Sequence, residues 1–145
     1  LKGGLAPITI LLIFAYFGNI GTYYYVVKWI PTVVADFGYS ASEATKVLGV
    51  ISLGGVIGSI SMGIITRFIA IRPMMIVCLI SAAIGVGLFP YATDTLESMK
   101  QIGFITGIFI FAAIYGFFAL FASSFPSSLL GSGSGLVLGL SLIHI

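Results

Sequence analysis

The chain has 145 residues, of which 59% are hydrophobic and only 7% charged, and its formal net charge is +2. Its mean hydropathy is +1.23. Soluble domains carry roughly 25% charged residues, so this composition excludes water as the main solvent of the surface. Four stretches, Ala6–Val27, Val47–Thr66, Pro73–Thr93 and Gln101–Ile145, contain no Asp, Glu, Lys or Arg. A helix needs about 20 apolar residues to cross the hydrocarbon core, which each stretch reaches or approaches. Dyad alternation with frequent turns, the mark of a membrane barrel, is missing. An all-α, multi-span membrane protein is expected.

The first helix is expected over 7–30, with Pro7 in the first turn, where a missing N–H costs nothing, and Pro31 at its exit. Asn19, Thr22 and Tyr23 fall on one face of it by i, i+3, i+4 spacing. Near its end Lys28 and Trp29 interrupt a greasy run. Tryptophan belongs at the headgroup level, and a neighbouring lysine can snorkel to water there. The other reading of Lys28 is a cation at the outer mouth of a pathway, where it attracts anionic solutes.

The second helix is expected over 42–67, opened by a Ser40-x-x-Glu43 capping box. Gly54-x-x-x-Gly58 and Gly55-x-x-x-Ser59-x-x-x-Gly63 line two of its faces, a spacing that lets helix backbones approach closely in lipid. A third helix follows over 73–90, between Pro73 and Pro90, with Cys78 inside it. A lone cysteine forms no intrachain disulfide or thiolate metal cluster and reads as apolar filler. The fourth helix, 96–123, follows an Asp94-x-x-Glu97 cap. It carries Gly103-x-x-x-Gly107 and a stripe of Phe104, Ile108, Phe111, Tyr115 and Phe118. That stripe is either packing or, with Asn19 and Tyr23, the wall of a cavity where flat rings stack on a flat solute. The fifth helix begins near 127, after Pro126, and bears Gly131-x-x-x-Gly135-x-x-x-Gly139 as a further packing face.

Lys2, Arg67 and Arg72 fall on one side of this five-helix order without any acid. Lys28, Lys46 and Lys100 share the other side with Asp36, Glu43, Asp94 and Glu97. The arginines in the shortest loop place the N-terminus inside. No zinc-ligand spacing, phosphate-binding loop, Ser/His/Asp set or basic nucleic-acid motif is visible. Gly131-Ser132-Gly133-Ser134-Gly135 has the look of a nucleophile elbow, but no strand precedes it. Neither an enzyme nor a cofactor- or metal-binding protein is expected.

In order, these features resemble the C-terminal half of a major facilitator superfamily transporter, and within it the aromatic acid:proton symporters. Trp29-Ile30-Pro31-Thr32, Gly38-Tyr39-Ser40 and Ala44 resemble that family's seventh helix and the loop after it. Leu53-Gly54-Gly55-Val56-Ile57-Gly58 resembles its eighth helix, and Gly63…Arg67-Phe68…Arg72-Pro73 the cytoplasmic gating loop. Phe125-Pro126-Ser127-Ser128 through Gly135 resembles the start of its eleventh helix. Three positions depart from the family pattern: Thr66 replaces an aspartate, Ile69 a glycine and Leu130 an arginine.

The resemblance implies a partial fold equivalent to helices 7–11, with residues 1–139 as a partial six-helix repeat. It implies a fragment whose N-terminal half is missing, seated in the cell membrane as a multi-pass protein. Proton-coupled uptake of small organic anions such as aromatic carboxylates is the implied function, with the substrate and protons as partners beside the lipid bilayer. Alternatives are a sugar or other metabolite as substrate, or a small non-transporting anchor subunit. Asn19, Tyr23, Phe111 and Tyr115 are the candidate substrate-binding residues, and Gly63, Arg67 and Arg72 the gating loop. Gly54, Gly58, Gly131 and Gly135 are the candidate packing glycines. The segment 140–145 can be spelled CTG TCT CTT ATA CAC ATC, which reads like a sequencing-library transposon adapter. It is expected to be non-native, and the sole histidine, His144, with it.

Overall fold

The computed structural model describes residues 5–92, 94–125 and 130–142, and every regular element among them is helical. Helix α1 spans Leu5–Asp36, α2 Ala41–Ile65, α3 Ile71–Leu88, α4 Leu96–Ser124 and α5 Leu130–Leu142. A single 3₁₀ turn, Phe89–Tyr91, extends α3 and holds Pro90. Four of these helices are long and apolar enough to cross a membrane, and Gly131–Leu140 is a shorter apolar helix. In lipid, backbone polar groups must be satisfied internally, which helices alone achieve segment by segment. The chain is a multi-pass membrane protein.

Two sequence expectations are corrected. Helix α1 does not leave at Pro31 but runs through it to Asp36. Proline removes one backbone donor, yet helices in membranes tolerate it because neighbouring helices and local adjustments compensate. At 32 residues, α1 is about 48 Å long, well beyond a hydrocarbon core of about 30 Å. The second correction moves the cap of α4 from Asp94 to Thr95. The Thr95 hydroxyl accepts from the Ser98 amide at 3.1 Å, while Glu97 instead receives Lys100 at 3.4 Å. The Ser40 box forms as its spacing demands: Ser40 N–H donates to Glu43 at 2.8 Å and Glu43 N–H to the Ser40 hydroxyl at 3.3 Å. Pro126 and His144 lie outside the described residues, as does half of the 124–127 turn.

Helix α4 is the centre of the bundle. Its apolar window is 44% buried, against 22–28% for the other spans. It meets α2 through glycines on both sides: a Cβ on Gly54 or Gly58 would strike the carbonyl of Phe104 or Ile108, and one on Gly107 the carbonyl of Ile51. Backbone touches backbone there. Helix α3 packs on α4 with Gly85 against the Thr106 side chain, and Gly116 of α4 accommodates Met62 and Met75. Two apolar clusters follow one another along α1. One gathers around Leu12, Tyr16, Phe117 and Phe121, the other around Val26, Ile30, Val34, Val47 and Met99. Helix α5 packs chiefly on α1, with Gly133 beneath the Phe125 ring.

Candidate functional site

Helices α1, α2 and α4 converge on one aromatic patch. From α1, the half-buried Tyr23 meets Phe111 of α4 edge to face, with ring centroids 5.5 Å apart and an interplanar angle of 85°. Phe111 lies flat against the backbone of α2, where a Cβ on Gly55 would come within 2.6 Å of the ring. Beyond the ring opens a cavity of about 410 Å3 lined by Val56, Ser59, Ile60, Phe111 and Tyr115. Ligand sites commonly fall between about 300 and 1,000 Å3, mostly apolar with a few placed polar groups. Ser59 supplies one such group. Its hydroxyl donates to the Gly55 carbonyl at 2.7 Å, which leaves the oxygen lone pairs free to accept. Tyr115 supplies the other, being 54% exposed and stacked at a tilt on Phe118, 6.5 Å away.

Of the four residues expected to bind substrate, Phe111 and Tyr115 thus share the cavity wall, and Tyr23 contacts Phe111 without lining the cavity. Asn19 is not on that wall. It sits one turn before Tyr23, only 3% exposed, and its side-chain N–H₂ donates to no other group among the described residues. Gly55 and Ser59 were visible in the sequence only as a small-residue stripe. Their place beside Phe111 depends on a contact between residues far apart in the chain, for which no local signal exists.

The other candidates stand apart from this patch. Lys28 is exposed, with its ammonium 5.6 Å from the centroid of the Tyr24 ring. Arg67 is exposed in the turn between α2 and α3 and Arg72 in the first turn of α3, and Gly63 has open space around it. Among the packing candidates Gly54 and Gly58 are in close contact with α4, whereas nothing lies within 4 Å of a Cβ built on Gly131 or Gly135. A larger cavity of about 560 Å3 lies between α1, α3 and α4, lined by residues such as Leu11, Met75, Ile76 and Phe117, with Arg72 and Ser124 among its few polar members. It lies away from the Tyr23–Phe111 contact, whereas the smaller cavity is the one that gathers residues expected to bind substrate. No group of three or more His, Cys, Asp or Glu suited to a metal ion occurs among the described residues.

No family model and no solved structure matches the chain. The 3-(3-hydroxy-phenyl)propionate transporter of Escherichia coli (strain K12) is 24% identical over 131 residues, which are 90% of this chain and 32% of that protein. The chain therefore spans about a third of the length of the curated relative that it matches.

Proposed function

We propose that this chain is part of a secondary active transporter that moves small organic anions, aromatic carboxylates foremost, with protons. The observation that carries the reading is the cavity between α2 and α4, with Phe111 and Tyr115 in its wall and Tyr23 in contact with Phe111. An aromatic solute gains there from edge-to-face and offset contacts. The Ser59 oxygen is placed to accept from a phenolic hydroxyl, the kind of group that the relative's name contains. In this reading the wall forms one side of a midplane site, and an N-terminal half of the same transporter forms the other. The charge-free spans carry no carboxylate, so the proton-binding acid belongs to that other half. The gating role of Gly63, Arg67 and Arg72, and a place in the cell membrane, belong to the same proposal.

The experiment is uptake of labelled 3-(3-hydroxyphenyl)propionate into cells or vesicles by the parent transporter carrying this segment. Saturable uptake that collapses with a proton ionophore, and that Phe111→Ala weakens at least tenfold, supports the reading. Uptake of a sugar but of no aromatic acid would replace the substrate class. No uptake of any solute by a correctly inserted parent protein would favour an anchor subunit.

A further inference from the structure

The turn between α2 and α3, with the first turn of α3, presents two exposed cations and two exposed apolar side chains. Phe68 is 83% exposed and Ile69 52%. Arg67 and Arg72 flank them, both exposed. Neither guanidinium forms a hydrogen bond or ion pair with any described residue. The backbone of the turn is satisfied without them. The amides of Arg67, Phe68 and Ile69 donate to Ile64 and Ile65 carbonyls at 2.9–3.1 Å, which ties the turn to the end of α2.

Its depth follows from the sequence. The charge-free runs Val47–Thr66 and Pro73–Thr93 end at these arginines, and each has the roughly 20 residues that cross a hydrocarbon core. Both guanidiniums therefore stand at the same hydrocarbon–headgroup boundary. An exposed phenyl ring and an isoleucine at that level enter the acyl region rather than water. A guanidinium offers a planar fork of donors that matches a phosphate, and no neighbouring acid competes for it here.

We propose that residues 67–72 form a docking site for an anionic phospholipid. Arg67 and Arg72 hold the headgroup phosphate, and Phe68 and Ile69 lie along the upper acyl chains. This inference rests on the membrane-spanning character of the chain alone and stands whether or not the transporter reading does.

The test makes use of the single tryptophan. In a Trp29→Phe background, Phe68→Trp places the fluorophore in the turn, and the protein is reconstituted into vesicles of phosphatidylcholine with a minor fraction of phosphatidylglycerol. Bromine is carried either on the anionic lipid or on an equal amount of the neutral one. Preferential quenching by the anionic lipid is expected, with an enrichment on the order of fivefold per arginine. Arg67→Gln with Arg72→Gln should bring the two lipids to parity, while added inorganic phosphate should leave the preference in place. Equal quenching by both lipids, or a preference that survives the double substitution, overturns the proposal. So does loss of the preference on adding free phosphate at constant ionic strength, which would make the site one for a soluble anion. Native mass spectrometry of the unsubstituted chain from mixed micelles gives a second readout, in which retention of phosphatidylglycerol over phosphatidylcholine is the expected result and equal retention the contrary one.

Discussion

The Lys28 ammonium lies 5.6 Å from the ring centroid of Tyr24, one helical turn earlier. Side chains on a helix lean toward its N-terminus, so residue 28 naturally reaches back over residue 24. The lysine thus rests on an aromatic face at a point where α1 has two further turns to run before Asp36. A cation over a tyrosine at an exposed site contributes about 0.5–1 kcal/mol. That contact, together with the neighbouring Trp29, explains a charge in this run without assigning it a solute.

Lys28→Gln should consequently lower stability by no more than about 1 kcal/mol and leave the apparent KM of the parent transporter for an anionic substrate within about threefold. Uptake measured across a salt series checks it. Attraction to the outer mouth would fade as salt shortens the Debye length to about 10 Å at 0.1 M. A tenfold rise in KM at low salt that disappears at high salt would assign Lys28 to the pathway instead.

Gly58 governs a different property, the separation of α2 and α4. A Cβ there meets the Ile108 carbonyl and backbone, which cannot swing aside as a side chain can. Gly58→Ala should force the helices apart and cost about 1–3 kcal/mol, the usual range for overpacking. Gly135→Ala has open space around it and should instead gain up to about 1 kcal/mol of helix propensity. Thermal unfolding in detergent, followed by circular dichroism, separates the two. Equal effects would show that the α2–α4 contact is looser than the geometry implies.

The contrast between those glycines shows what a sequence can and cannot reveal. Spacing alone makes Gly54, Gly58, Gly131 and Gly135 equivalent; only the position of a neighbouring helix distinguishes them. Local chemistry was read well where both partners lie within one turn, as at Ser40 and Glu43. It was read one residue off at α4 because Asp94-x-x-Glu97 and Thr95-x-x-Ser98 offer the same spacing, and the hydroxyl pair formed the cap. Pro31 misled for a similar reason, since its effect on a helix depends on what surrounds the helix. The aromatic patch was partly legible: helical spacing put Phe111 and Tyr115 on one face, but not Gly55 behind the ring or Asn19 away from the cavity wall.

Gly55 sets how deeply Phe111 sits. The ring touches the Gly55 backbone and meets the Tyr23 ring edge to face, and it lines the cavity. Gly55→Ala should therefore push the ring outward and narrow the site, raising KM for a bicyclic aromatic acid by about tenfold or more while a single-ring acid changes less. Adding Phe111→Leu should relieve the clash and remove the discrimination by size, while the affinity that the ring contributes stays lost. A measurement independent of transport uses Ser59→Cys with Cys78→Ala and thiol reagents of graded size. Gly55→Ala should lower the largest size that reacts. An unchanged size limit would mean that the ring moves elsewhere.

Asn19 presents the sharpest conflict between stability and use. Its amide is buried at 3% exposure, with the N–H₂ group donating to no described residue. An unsatisfied buried donor costs about 1–3 kcal/mol. Leucine has nearly the same shape and no such donor, so Asn19→Leu should stabilise the chain by up to that amount in detergent unfolding. If the amide waits for a carboxylate or a carbonyl of the solute, the same change should raise KM in the parent transporter by about tenfold, the loss of one hydrogen bond to a charged group. Greater stability with weaker uptake is the pair that would extend the site one turn beyond Tyr23, past the cavity wall on which Asn19 does not lie. Lower stability would mean that the amide is already bonded in the resting protein. Unchanged uptake with greater stability would remove Asn19 from the site and leave the wall of Phe111, Tyr115 and Ser59 to bind alone.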